Sequence, residues 1–137
     1  AIPIYFELLD HVGNSNLETQ TAILSRVLPI LKGYTKVILG DREFCSVDLA
    51  KWLQQQEKTY FCLRLKRNCY LEVESEVWKQ LQAVGLQPGL SLYFQGVKVT
   101  KTKGFAGANV VCKWKRKYRG LTADEGWFIL SKLNSLD

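Results

Sequence analysis

Lys36-Val37-Ile38-Leu39-Gly40-Asp41-Arg42-Glu43-Phe44 reads as a strand that delivers a carboxylate to its own C-terminal end. Val37, Ile38 and Leu39 form a short continuous apolar run, the pattern of a parallel strand covered on both faces. Gly40 lets the backbone turn, and Asp41 then stands at the carboxyl end, where open α/β sheets place their ligands. A carboxylate there suits a hard divalent cation such as Mg²⁺, which takes one or two carboxylates together with substrate phosphates. Arg42 beside it carries a planar fork of donors matched to phosphate. Asp at a strand-to-helix junction also caps the following turn, so the residues alone leave a metal-binding and a capping role open for Asp41. Arg42 is equally open between pairing a carboxylate and contacting a nucleic acid. Glu43 diverges from Asp41 once the strand ends and reads as structural.

Working outward, the segments on either side repeat one grammar. Ala1–Leu9 is a strand candidate, and Asp10 to Asn16 is a loop of turn formers. Asn14 to Asn16 supply N-cap candidates for a helix over Leu17–Leu31, whose Ile23, Leu24, Val27, Leu28 and Leu31 share one face. Pro29 should kink or shorten its last turn, and Gly33 ends it. Ser46 can cap a second helix over Val47–Gln56, with Leu49, Ala50, Trp52 and Leu53 on its apolar side. A strand follows at Thr59–Lys66, where Phe61, Leu63 and Leu65 alternate with Tyr60, Cys62, Arg64 and Lys66. Strand–helix–strand–helix–strand with two crossovers implies parallel strands under packed helices.

After Asn68 the runs shorten, at Tyr70–Val73, Leu90–Phe94, Val97–Thr102, Ala108–Trp114 and Trp127–Leu133, and Gly- or Pro-containing breaks divide them. Gln95-Gly96 predicts a hairpin turn between two β-prone runs. Glu76–Val84 predicts one short helix. Trp52, Trp78 and Trp127 are expected in the core. The chain therefore divides into an α/β part (1–68), a β-rich part (69–126) and a returning strand (127–137).

The 137 residues are ample for one domain with a real core, and 47% of them are hydrophobic. No apolar run approaches the roughly 18 residues that span a bilayer. Residues 1–9 are apolar but lack the basic n-region and cleavage site of a signal peptide. The chain opens at Ala1 on a strand, without Met, and stops at Asp137 soon after another, so a piece of a longer protein is expected. Cys45, Cys62, Cys69 and Cys112 have no C-x-x-C spacing and only His11 could join them, so small buried hydrophobes or free thiols of a cytoplasmic protein are expected rather than a zinc site. His11 reads as a loop residue.

The net charge of +6 is unevenly spread. Residues 1–76 carry nine Lys/Arg against ten Asp/Glu, whereas 77–123 carry nine Lys/Arg and no acid. A block this one-sided points to a polyanionic partner. Its densest part is Lys113-Trp114-Lys115-Arg116-Lys117-Tyr118-Arg119. As one strand, it would put Lys113, Lys115, Lys117 and Arg119 on one face, suited to tracking phosphates, with Trp114 and Tyr118 turned to the core. Arg64, Lys66 and Arg67 form a smaller cluster expected at the same sheet edge as Asp41. Such contacts give salt-sensitive, non-specific DNA binding.

Ala1-Ile2-Pro3-Ile4-Tyr5 with Leu8-Leu9, Gly13-Asn14-Ser15-Asn16, Leu39-Gly40-Asp41-Arg42-Glu43-Phe44 and Leu63-Arg64-Leu65-Lys66, in this order and spacing, resemble bacterial insertion-sequence DDE transposases of the insertion-sequence-four branch. Trp127-Phe128-Ile129-Leu130 resembles the strand before that family's last catalytic helix. The resemblance covers most of residues 1–67 and the final ten; the middle matches only as a variable β-rich insertion. It implies a partial RNase H-like core, and DNA cleavage and strand transfer in the full-length protein by two-metal chemistry with Mg²⁺ or Mn²⁺. It further implies DNA as partner and action at the bacterial nucleoid.

Asp41 matches the second of the family's three carboxylates. The first would precede Ala1, and the third, on a Tyr-x₂-Arg-x₃-Glu-x₆-Lys helix, would follow Asp137; neither Asp10 nor Glu125 replaces them. The chain alone is therefore expected to hold no metal tightly and to be inactive, with open sheet edges inviting either closure by Ile2–Leu9 beside Lys36–Leu39 or a homodimer. The rival expectation is a non-catalytic α/β module that holds nucleic acid through its basic β-rich half. A nucleotide-binding protein is disfavoured, because no G-x-x-x-x-G-K-[ST] loop is present.

Overall fold

The structure, a computed structural model, describes residues 5, 8, 16–41, 47–101, 104–115 and 126–132. The expected Ala1–Leu9 strand and its placement beside Lys36–Leu39, the loop with His11, and Arg42, Glu43, Cys45, Ser46, Arg116, Lys117, Tyr118 and Arg119 lie outside the described residues or fall largely there.

Helix α1 spans Leu17–Val27, and Asn16 caps it by accepting a hydrogen bond from the Thr19 N–H at 2.8 Å. Pro29 cannot donate to a fourth-residue carbonyl, so the helix tightens into a 3₁₀ turn at Leu28–Leu31, as its position predicts. Gly33 then takes φ of +92° and releases the chain into strand β1, Lys36–Gly40. Helix α2 is Val47–Gln54, two residues shorter than its pattern suggested, and it buries Val47, Leu49, Ala50 and Leu53. Strand β2, Thr59–Arg64, runs parallel to β1 with Ile38 opposite Phe61.

Among the described residues, the second half consists of strands and one short 3₁₀ turn. Strand β3 (Tyr70–Glu74) pairs antiparallel with β4 (Val77–Gln80), and a 3₁₀ turn at Leu81–Ala83 follows. The helix expected over Glu76–Val84 does not form. Glu76 adopts φ of +61° and turns the chain back, which pairs Trp78 with Glu72 across the hairpin.

Strand β5 (Ser91–Val99) runs straight through Gln95-Gly96, so the expected hairpin turn there is a bulge. Phe94 faces Val110 and Val97 faces Ala108 on β6 (Phe105–Lys113), which leaves two residues opposite Asn109. Gly96 supplies the left-handed conformation at φ +65°, and its N–H donates to the Asn109 side-chain oxygen at 3.3 Å. A bulge keeps both runs in one ladder, and a pattern-based reading has no means to tell it from a turn.

Strand β7 (Trp127–Lys132) lies antiparallel between β2 and β6 and joins the two halves into one seven-stranded mixed sheet, ordered β1-β2-β7-β6-β5-β3-β4 among the described residues. The core forms on the face carrying Phe61, Leu63, Leu130, Val110 and Cys112, against Leu49, Ala50 and Leu53 of α2. Phe61 meets Phe105 edge-to-face with ring centroids 6.1 Å apart.

The opposite face is open over part of its area, although Ser131 there is buried. Val37 is 47% exposed, Leu39 78%, Tyr93 51% and Trp127 51%. Strand β1 is thus covered on one face and not on two, because α1 and α2 pack on each other and serve the same side of the sheet. Trp127 is not a core residue; Trp52 and Trp78 are half-buried.

Strain collects at Thr100, which follows β5 with φ of +61° and a buried hydroxyl oxygen without a hydrogen-bond partner. A β-branched residue is disfavoured there, and an orphaned buried polar group adds to the cost. Thr100→Asn, whose side chain tolerates that conformation, is expected to raise stability by about 1 kcal/mol in a urea melt. A loss of stability would show that the Thr methyl packing outweighs the strain.

Among the described cysteines, Cys62, Cys69 and Cys112 are free. Burial pushes the Cys112 thiol up to about 11 and raises that of Cys69. A thiol held neutral in the folded state contributes stability below its ordinary pKa of 9.0 and loses it as pH rises through about 11. Urea midpoints should fall between pH 9.0 and 11 in the parent chain and fall less in Cys112→Ala.

Candidate nucleic-acid interface

The parallel pairing of β1 with β2 sets the first two side chains of the site. Gly40 lies opposite Leu63, so the next pair in register, Asp41 and Arg64, stands together at the carboxyl ends of the two strands. One Arg64 guanidinium nitrogen sits 3.4 Å from an Asp41 carboxylate oxygen, with the Asp41 side chain 69% exposed and that of Arg64 12%. The pair is open to water on the Asp41 side, so its worth to stability is small. The guanidinium carbon also lies 3.9 Å from the ring centroid of Trp127, which adds a cation–π contact.

Trp127 stands opposite Lys113, the last residue of β6. Asp41, Arg64, Trp127 and Lys113 therefore form a row across β1, β2, β7 and β6, on the open face of the sheet. Just beyond β2, Lys66 and Arg67 are exposed, and Lys115 is exposed beyond β6. A hydrogen bond from the Leu65 N–H to the Phe128 carbonyl, 2.7 Å, ties the exit of β2 to the start of β7. Lys66, Arg67, Lys113 and Lys115 have no ion-pair partner among the described residues. The row is basic and carries one exposed indole.

Of the stretch Lys113–Arg119 read as one strand, Lys113 ends β6, Trp114 and Lys115 lie beyond it, and Arg116 to Arg119 lie outside the described residues. Pairing runs one residue further, with the Trp114 N–H on the Leu90 carbonyl at 3.1 Å and the Gly89 N–H on the Trp114 carbonyl at 2.6 Å. Trp127 was missed as a site residue. Alternation offers no signal for it, because Trp127, Ile129 and Ser131 on one face are as apolar as Phe128, Leu130 and Lys132 on the other.

Among the described residues no three His, Cys, Asp or Glu side chains converge on one point. One carboxylate already facing a guanidinium does not by itself hold a divalent ion, which needs several oxygen ligands. Among the described residues no helix is long and apolar enough to cross a membrane. The fold and site together define an α/β protein with a mixed sheet and a basic, indole-bearing edge. Comparison with family models, curated proteins and solved structures finds no match.

Proposed function

We propose that this chain is the central part of a DDE transposase catalytic domain with an RNase H-like core, in which Asp41 is one of three metal-binding carboxylates. The observation that carries the reading is the placement of Asp41 and Arg64 side by side at the carboxyl ends of two adjacent parallel strands. That is where an α/β sheet presents its chemistry, and a basic row leads from it across the sheet. In the parent protein the reaction is cleavage and transfer of DNA strands with Mg²⁺ or Mn²⁺, the other two carboxylates coming from outside these 137 residues. Within this chain Arg64 holds the Asp41 carboxylate in place, and Lys66, Arg67, Lys113 and Lys115 hold the phosphates; Arg42, Lys117 and Arg119 are candidates for the same work. The chain alone cleaves nothing.

A second reading, a non-catalytic nucleic-acid-binding module, is favoured by one observation: Asp41 already faces Arg64, which fits a carboxylate that merely orients a guanidinium over Trp127. The two are separated by the parent protein. In the transposase, Asp41→Asn abolishes metal-dependent strand cleavage while DNA affinity holds. A parent protein with no cleavage to abolish, or metal-dependent nicking by the 137-residue chain alone that Asp41→Asn removes, overturns the proposal.

A further inference from the structure

The far end of the sheet carries a second basic surface. Two adjoining clefts, of about 420 and 230 Å³, share Gln56, Lys58 and Thr59 and run along the starts of β1 and β2 to the end of β7. Lys32 and Lys36 line the first, Lys132 the second, and Lys58 both. They come from three stretches of the chain, around residues 32–36, 58 and 132, and the fold brings them together. Lys36 is opposite Thr59, its N–H donates to the Lys58 carbonyl at 2.8 Å, and Lys132 is opposite Phe61. Glu57 is the one acidic residue among the lining residues.

None of the four ammonium groups has an ion-pair partner among the described residues. Gathering four cations around a single carboxylate is unfavourable unless an anion balances the excess. Lys58 adds a second sign. It takes φ of +50°, a conformation that a non-glycine residue adopts at a cost, and there it faces both clefts.

We infer that this groove binds the phosphodiester backbone of a nucleic acid, as a contact separate from the Asp41 edge. Lys36 and Asp41 lie at opposite ends of β1, about 16 Å apart along the strand, so one phosphate cannot serve both. The groove is two adjoining half-open clefts rather than one closed pocket, and its donors are point charges on flexible stems. Those features fit a run of phosphates better than a compact anion. The inference needs neither a metal nor Asp41, so it stands or falls apart from the transposase reading.

The test is binding of a fluorescent DNA duplex to the full chain, followed by anisotropy across a salt series. Lys36→Gln, Lys58→Asn and Lys132→Gln together should weaken binding about 30-fold and reduce the steepness of the salt dependence by about 2.7. A control that removes charge elsewhere, Arg26→Gln on α1 and Lys51→Gln on α2, outside both basic surfaces, should leave that steepness nearly unchanged. If the triple variant fails to fold, Lys58→Asn alone decides, because Asn tolerates the left-handed conformation and only the charge is lost; about threefold weaker binding is expected. Wild-type binding by these variants, or an equal loss in the control, overturns the inference. So does tight binding of inorganic phosphate, seen as shifts of the Lys36 and Lys58 amides, that the duplex cannot displace.

Discussion

Removal of four cations at one end of the sheet, by Lys66→Gln, Arg67→Gln, Lys113→Gln and Lys115→Gln, is expected to weaken duplex binding about 100-fold and to flatten its salt dependence by about 3.6 in log–log slope. The expectation rests on placement. Lys66 and Lys113 are far apart in sequence, yet the Leu65–Phe128 hydrogen bond and the Lys113–Trp127 register bring their strand ends to one edge. All four are exposed and have no ion-pair partner among the described residues, so each is available to displace a condensed counter-ion. Arg64 is left out because it already faces Asp41 and Trp127. Phosphate contacts carry no base information, so the loss should be equal for unrelated duplex sequences. An unchanged slope, or a loss confined to one sequence, would contradict this placement of the DNA.

Phe61→Ala should lower stability by about 3–5 kcal/mol, read from the midpoint of a urea melt. Phe61 is 1% exposed at the middle of β2, where α2, the neighbouring strands and the Phe105 ring meet. Truncation removes the transfer free energy of the ring and leaves a cavity that the paired strands on both sides cannot collapse to fill. Against a typical total of about 5–15 kcal/mol, that loss leaves a marginal fold. Leu39→Ala on the open face makes the contrast: with Leu39 78% exposed, a change within about 0.5 kcal/mol is expected. A large cost at Leu39 would mean that the face is covered in solution.

The elements that sequence reading placed well are those whose own side chains report their surroundings. Thr59–Arg64 alternates, and Phe61 and Leu63 of the expected apolar set are buried, with Thr59 buried beside them. Leu17–Val27 has its Asn16 cap and its Pro29 stop, both local in origin. Reading failed where a neighbour decides. Val37-Ile38-Leu39 is apolar throughout, but whether a second layer covers it depends on where the helices pack. Val77–Gln80 is a strand because Glu76 reverses the chain beside β3, and Gln95-Gly96 is a bulge because Asn109 stands opposite it. The mixed character of the sheet follows from β7, whose direction nothing within Trp127–Lys132 encodes.

The candidate site divides in the same way. Asp41 at a strand end, and the excess of cations after residue 76, were legible from residue type and order. That Arg64 lies 3.4 Å from Asp41 and stacks on Trp127 was not, because the contact joins three strands. Nor was the convergence of Lys32, Lys36, Lys58 and Lys132 at the opposite end. By itself the sequence determined the α/β beginning, the β-rich remainder, the strand that leads into Asp41 and the positive charge. Tertiary structure alone decided which face of the sheet is covered and which charges become neighbours. The physical reason is that periodicity and capping act over a few residues, whereas burial and electrostatic pairing act between strands that only the register brings together.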